Sequence, residues 1–116
     1  MNILHRHIEN ELSDADEMIA NRDYSSAFGY LERAHVLGQA ITYDHTRIHW
    51  RMLKIGLATR NVREIFGQIL RIVGASTKTP LGIYPAGNTG GANVFFFKSM
   101  PIPADLQQIL DRAKIK

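Results

Sequence analysis

The sequence contains no cysteine among its 116 residues. This absence excludes a disulfide framework, a thiolate metal site and cysteine catalysis. A metal bound by this chain would therefore need nitrogen and oxygen ligands. No apolar run approaches the ~20 residues that span a bilayer, and the charged stretch from His5 to Glu9 is untypical of a signal peptide. We therefore expect a cytoplasmic protein with no membrane partner.

The sequence also has no dense block of one charge. Lysine and arginine number 14 against 11 aspartate and glutamate, which gives a formal charge of +3, and the basic residues are spread along the chain. This pattern favours weak attraction to anions and argues against a nucleic-acid partner, which usually requires a basic stripe or a known motif. With 45% hydrophobic and 22% charged residues, the chain has the composition of one globular domain, residues 1–116.

The spacing of apolar residues predicts an all-α fold. We expect four antiparallel helices joined by short breaks as two hairpins, then a long ordered loop rich in glycine and proline, and a short C-terminal helix. Asp23, Asp44 and Asn61 are candidate N-caps, and Gly38 and Gly74 are candidate helix ends. The predicted helices cover residues 3–20, 24–37, 44–59, 62–74 and 104–114, with the loop over 76–103.

The inner face of each helix can be read from the same spacing. The fourth helix is predicted to turn Val62, Ile65, Phe66, Ile69 and Ile72 inward. In the long loop, Phe95 to Phe97 is too apolar for solvent, so we expect it to pack on the helices or to meet a partner chain in a homodimer.

The two hairpins carry a repeat-like pattern. The stretch from Asn21 to Phe28 resembles the centre of a tetratricopeptide repeat, and Arg60 to Phe66 echoes it 38 residues later, against ~34 for that repeat. Two units rarely form a stable solenoid. The pattern therefore suggests a repeat-like hairpin pair, and a non-catalytic protein-interaction module is one functional alternative.

Histidines flank the predicted break between the second and third helices. His45 and His49 are spaced i,i+4, which places both imidazoles on one helix face. His35 and Glu32 lie before the bend at i,i+3 and would reach the same level if the chain reverses near Gly38. These four residues are candidate ligands of one divalent transition metal (Zn, Fe, Mn or Ni). Histidines near a bend also commonly have a purely structural role, and that alternative stays open.

A second constellation lies in the long loop. Its glycines permit close backbone approach, and consecutive N–H groups can cradle an oxyanion. We therefore predict that the loop closes the histidine site and binds a small anionic ligand, although a simple tight turn would explain the same residues. The candidate ligand-binding residues are Asn88, Thr89, Gly90, Gly91 and Asn93.

Several segments together resemble a small bacterial domain-of-unknown-function family, DUF3703. The resemblance lies in residues 30–39, 45–50 and 87–94 and in the Met100-Pro101-Ile102-Pro103 stretch, and it covers nearly the whole chain. It implies a stand-alone helical protein, and it implies no activity, cofactor or partner. The leading hypothesis from the residues is a small-ligand or metal-binding protein, for which the sequence names no reaction.

Overall fold

The computed structural model describes residues 2–82, 87–92, 94 and 98–115. Within them the fold is all-α, as predicted, and contains five α-helices and one 3₁₀ turn. None of these helices is both long enough and apolar enough to cross a membrane. The helices are α1 (Ile3–Ala20), α2 (Tyr24–Gly38), α3 (Thr42–Thr59), α4 (Val62–Lys78) and α5 (Ala104–Ile115), and the 3₁₀ turn is Thr79–Leu81.

Two of the three predicted N-caps are confirmed. The side chain of Asp23 accepts a hydrogen bond from the backbone N–H of Ser26 at the start of α2. Asn61 does the same for Glu64 at the start of α4. Each cap satisfies an N–H that has no partner within the helix, which fixes where the helix begins.

The predicted cap at Asp44 is wrong. Helix α3 begins two residues earlier, at Thr42, behind Ile41, which makes no side-chain cap. Asp44 instead lies buried in the first turn, where its carboxylate accepts a hydrogen bond from Arg47 Nε at 2.9 Å. A carboxylate in the first turn is favoured by the helix dipole, so the acidic residue still supports this helix start.

Gly38 ends α2 where the chain reverses toward α3. It has no left-handed conformation; its importance is close packing. A Cβ at this position would lie 3.1 Å from Asp44 Cβ and 3.4 Å from Ile48 Cδ1. The missing side chain therefore lets the end of α2 approach the first turns of α3 closely enough for side chains of both helices to meet.

The core lies between α1, α2 and α3 and is closed by α5. It is made of one side of α1, α2 and α3 together with Leu106 from α5. Fully buried members are Ile8, Leu12, Leu31, Ile48, Met52 and Leu106. The predicted Phe95–Phe97 anchor lies outside the described residues.

Ion pairs tie neighbouring helices together at the edge of this core. Arg47 of α3 pairs with Glu9 of α1 as well as with Asp44, and Arg51 pairs with Asp16 at 2.9 Å. Such partly exposed pairs each contribute about 0–1 kcal/mol. They therefore add to the relative placement of α1 and α3, while the apolar core supplies most of the stability.

Helix α4 differs from its prediction in two ways. It continues past Gly74 to Lys78, because that glycine keeps a helical conformation. Its predicted inner face is also mostly wrong: Val62, Phe66 and Ile69 are exposed, and the fully buried positions are Gln68 and Ala75. The polar side of α4 faces inward, toward the histidines.

We expect Gly38→Val to destabilise the protein by about 1–3 kcal/mol, because the added side chain overpacks the contact between α2 and α3. The matched control is Gly29→Ala in the middle of α2, where an added Cβ meets nothing within 4 Å. That change should stabilise the helix by about 0.5–1 kcal/mol. Urea unfolding followed by circular dichroism measures both, and equal free energies for Gly38→Val and the unchanged protein would refute the close-packing argument.

Candidate metal centre

The chain reversal after Gly38 brings His35, His45 and His49 together, as the sequence predicts. His35 Nε2 lies 3.0 Å from His45 Nε2 and 3.0 Å from His49 Nε2. The three ring centroids are 4.6–4.9 Å apart. All three rings are at most 7% exposed. Three nitrogen ligand atoms therefore converge on one point inside the protein.

The opposite nitrogen of each ring is held by a different element of the fold. His35 Nδ1 lies 2.6 Å from the carbonyl oxygen of Asn88 in the long loop. His49 Nδ1 lies 2.6 Å from Gln68 Oε1 on α4, and His45 Nδ1 lies 2.8 Å from Thr79 Oγ1 in the 3₁₀ turn. These contacts fix the orientation of every ring.

Two of these partners also fix where the ring protons lie. The carbonyl of Asn88 can only accept, so His35 Nδ1 must donate its proton to it. Gln68 Nε2 donates to Glu64 Oε2 at 2.6 Å and to the carbonyl of Gly90 at 2.9 Å, which leaves Gln68 Oε1 as an acceptor for His49. In a neutral imidazole one nitrogen donates and the other accepts. The Nε2 atoms of His35 and His49 therefore both carry a lone pair toward the centre.

Burial keeps these imidazoles neutral. Desolvation, and then the charges of His49 and His45, hold the pKa of His35 well below its usual range. Desolvation lowers the pKa of His45 to about 4 and that of His49 to about 3. Neutral imidazole is the form that binds a metal, so the cluster keeps its ligand atoms available at neutral pH.

The described part of the long loop covers this cluster on one side. Gly90 has φ +89°, a left-handed conformation that favours glycine, and its backbone lies against the His35 ring. A Cβ at this position would lie 2.7 Å from His35 Cδ2. Asn88 shapes the turn, because its side chain accepts from the N–H of Gly90 and donates to the carbonyl of Lys98.

Two N–H groups of the loop that was predicted to cradle an anion already have partners within the protein. The N–H of Gly90 is taken by Asn88, and that of Ala92 donates to Glu64 Oε2 at 3.0 Å. An anionic ligand would have to replace these bonds. Of the other residues predicted for this ligand, Gly91 is buried, Thr89 is half-buried, and Asn93 lies outside the described residues.

Glu32 does not join the three imidazoles. The ligand atoms of His35, His45 and His49 lie within 4.8 Å of one another, and no atom of Glu32 belongs to that group. Its carboxyl is half-buried one turn before His35. Burial, and then the charge of Glu64, raise its pKa.

The sequence prediction missed the residues behind the imidazoles. Gln68, Glu64 and Thr79 come from α4 and the turn that follows it, where the apolar stripe pointed to the opposite helix face. The i,i+4 spacing of Glu64 and Gln68 on the polar side of α4 was the available signal, and it is shared by many exposed helices.

Another group of metal-ligand types occurs at the edge of α1. Ligand atoms of His5, Glu9 and Asp44 lie within 4.8 Å of one another. However, Arg47 pairs with both carboxylates. A guanidinium therefore already supplies the positive charge there, and this group is best explained as an ion-pair network.

We expect the metal-free protein to lose stability as the pH falls from 7 to 5. Unfolded histidine has a pKa of about 6.5, whereas the folded pKa is about 4 for His45 and about 3 for His49. The unfolded chain then binds protons first, so the stabilisation is complete above about pH 6.5 and declines below it. Each ring should cost on the order of 2 kcal/mol by pH 5.

Urea unfolding in the presence of a chelator, at several pH values between 7.5 and 5, measures this slope. A free energy of unfolding that stays constant or rises over that range would mean that the buried rings accept protons in the folded state.

The sequence pattern of a family described as "Protein of unknown function (DUF3703)" matches residues 2–110. No curated protein and no solved structure gives a match to the chain. The family match includes all three clustered histidines and the described loop residues. The chain therefore belongs to the DUF3703 family of proteins of unknown function.

Proposed function

We propose that this protein binds one divalent transition metal through the Nε2 atoms of His35, His45 and His49. The observation that carries the proposal is the meeting of two lone pairs. His35 Nε2 and His49 Nε2 lie 3.0 Å apart, and their hydrogen-bond partners leave no proton on either atom. Two acceptors this close repel each other, and a cation between them turns the repulsion into two bonds.

The distances suit a metal ion. Two nitrogens bound at ~2.05 Å to one tetrahedral ion lie about 3.3 Å apart. The 3.0 Å separations therefore need to open by only a few tenths of an ångström. Three protein ligands leave at least one coordination position for water or a substrate, which is the arrangement of catalytic zinc sites.

The surroundings of the rings support the same proposal. Metal-bound histidines commonly donate their other N–H to a carbonyl or another oxygen, which fixes the tautomer and strengthens the ligand. His35 does this through Asn88 and His49 through Gln68, while Thr79 orients His45. Gln68 is itself anchored by Glu64, so the support extends into a second layer.

The ligand set limits the choice of metal. Neutral imidazoles suit zinc, iron and nickel, and manganese becomes acceptable where oxygen ligands complete the site. The three rings are neutral, so a bound dication would keep its full charge. Glu64, linked through Gln68, and the half-buried Glu32 are the carboxylates that would offset it. We therefore assign Glu32 a supporting electrostatic role, with direct ligation only if its side chain moves on binding.

A small anionic ligand would complete the centre. An anion or an ionised water at the open position would neutralise part of the charge, and additional polar contacts would come from the loop residues that the sequence predicts for this role, Asn88, Thr89, Gly90, Gly91 and Asn93. Thr89 is the half-buried hydroxyl of that loop.

Protein purified without a His tag should carry or take up one equivalent of metal per chain. Replacing His45 or His49 with alanine removes one of three ligands, so affinity should fall by more than about 100-fold, since even supporting residues are worth 10–100-fold. The matched control is His7→Ala, a histidine of α1 outside the cluster. Elemental analysis and competition with a chromophoric chelator measure the effect.

The same samples distinguish the competing hypothesis. If the unaltered protein neither contains nor takes up zinc, iron, manganese or nickel, the metal proposal fails. The repeat-like interaction module then becomes the better hypothesis, and the histidines have a packing role only.

Gln68→Leu tests the supporting layer. The change keeps the size of the side chain but removes the acceptor of the His49 proton, so metal affinity should fall about 10–100-fold. Gln108→Leu, at an exposed position of α5, is the control and should leave affinity unchanged. Equal affinities for the two variants would show that Gln68 does not orient the ligand.

A further inference from the structure

The solvent side of α4 is an apolar surface. Five large residues on it are each 45–69% exposed. Their spacing of i, i+4, i+7, i+8 and i+11 places them in an arc about 100° wide along the helix. The α4 face, as we name it, consists of Val62, Phe66, Ile69, Leu70 and Val73.

This face is unusual because α4 turns its apolar side to solvent and its polar side to the protein interior. A surface helix normally presents its apolar side to the core and its charged side to water. In α4 the polar residues Glu64, Gln68 and Arg71 are occupied on the inner side by the histidine cluster and the loop. The outer arc contains no charged residue; Ser76 and Thr77 continue it toward the C-terminal end. Leaving this apolar surface in water forgoes the favourable free energy that its burial would supply.

We infer that the α4 face is a dimer interface, covered by the same face of a second copy of this chain. A two-fold interface needs one self-complementary patch, because each residue meets its counterpart from the other copy. A stripe of similar apolar side chains meets that requirement. The inference does not depend on the metal site.

The size of the face agrees with a homodimer. From the exposed fractions and side-chain areas of ~150–200 Å², the five residues offer about 500 Å² of apolar surface. A specific interface buries about 800 Å² on each partner, and homodimer interfaces are about 65% apolar. The five residues therefore supply about three-fifths of the area that one partner buries, close to the apolar share of a homodimer interface, and the polar neighbours of the α4 face would supply the rest.

The position of Arg63 favours an antiparallel pairing of the two α4 helices. If the two-fold axis passes between Ile69 and Leu70, Phe66 lies opposite Val73 of the partner helix and Val62 lies opposite Thr77. Arg63, at the edge of the arc, then lies opposite Ser76 and away from the same arginine of the other copy. A parallel pairing would instead bring the two Arg63 side chains together, which costs free energy.

Association of the full chain tests the inference. Analytical ultracentrifugation from 1 to 100 µM should show a monomer–dimer equilibrium. Phe66→Glu and Leu70→Glu should each weaken dimerisation about 100-fold or more, because the carboxylate would be buried without a partner. Ser13→Glu adds the same charge at an exposed position of α1 and should leave the equilibrium unchanged. Circular dichroism checks that the variants remain folded.

Cross-linking tests the geometry independently. Since the chain has no cysteine, Ile69→Cys introduces a single thiol near the proposed axis. A short bismaleimide should convert it to a covalent dimer, whereas Ser13→Cys should stay monomeric.

Two results would overturn the inference. One is an unaltered protein that remains monomeric at 100 µM. This includes the case in which the monomer binds anionic phospholipid vesicles in a flotation assay and Phe66→Glu abolishes that binding, because the α4 face would then be a membrane contact. The other is a dimer that Phe66→Glu and Leu70→Glu leave intact and that Ile69→Cys does not cross-link.

Discussion

The structure depends on burying three neutral imidazoles at one point between α2 and α3. Burial of a polar ring is costly unless its nitrogens are satisfied, and here each Nδ1 is satisfied by a different part of the chain. The loop supplies the Asn88 carbonyl, α4 supplies Gln68, and the 3₁₀ turn supplies Thr79. The histidines therefore determine which side of α4 faces inward and where the loop lies.

Local sequence signals were sufficient to predict the features that depend on residues close together along the chain. The caps at Asp23 and Asn61 and the apolar period of α1, α2 and α3 predicted those helices to within two residues. The i,i+4 pair of His45 and His49, with the reversal at Gly38, also predicted the meeting of the three rings. These features depend on spacing along one or two adjacent helices, which a sequence displays directly.

The remaining parts depend on contacts between distant segments. Periodicity identified the apolar stripe of α4, but it cannot tell a stripe that meets the core from one that faces outward. That choice was made by Gln68, whose amide contacts His49 and the Gly90 carbonyl. Similarly, aspartate is a common N-cap residue, but Asp44 lies inside the first turn of α3, where it pairs with Arg47. Glu32 has the right spacing to His35, and only the three-dimensional arrangement shows that its carboxyl lies outside the group formed by the three imidazoles.

The contact between Gly90 and the His35 ring has a kinetic consequence. On this side of the cluster an ion can reach the nitrogens only if the backbone of the loop lifts away, and lifting it breaks the hydrogen bonds of Asn88, Gln68 and Glu64 together. Exchange of the proposed ion on this side would then require that opening in addition to the breaking of the coordinate bonds. If the proposed metal enters and leaves on this side, the covering loop would slow both steps, which suits a tightly held component better than a rapidly equilibrating carrier.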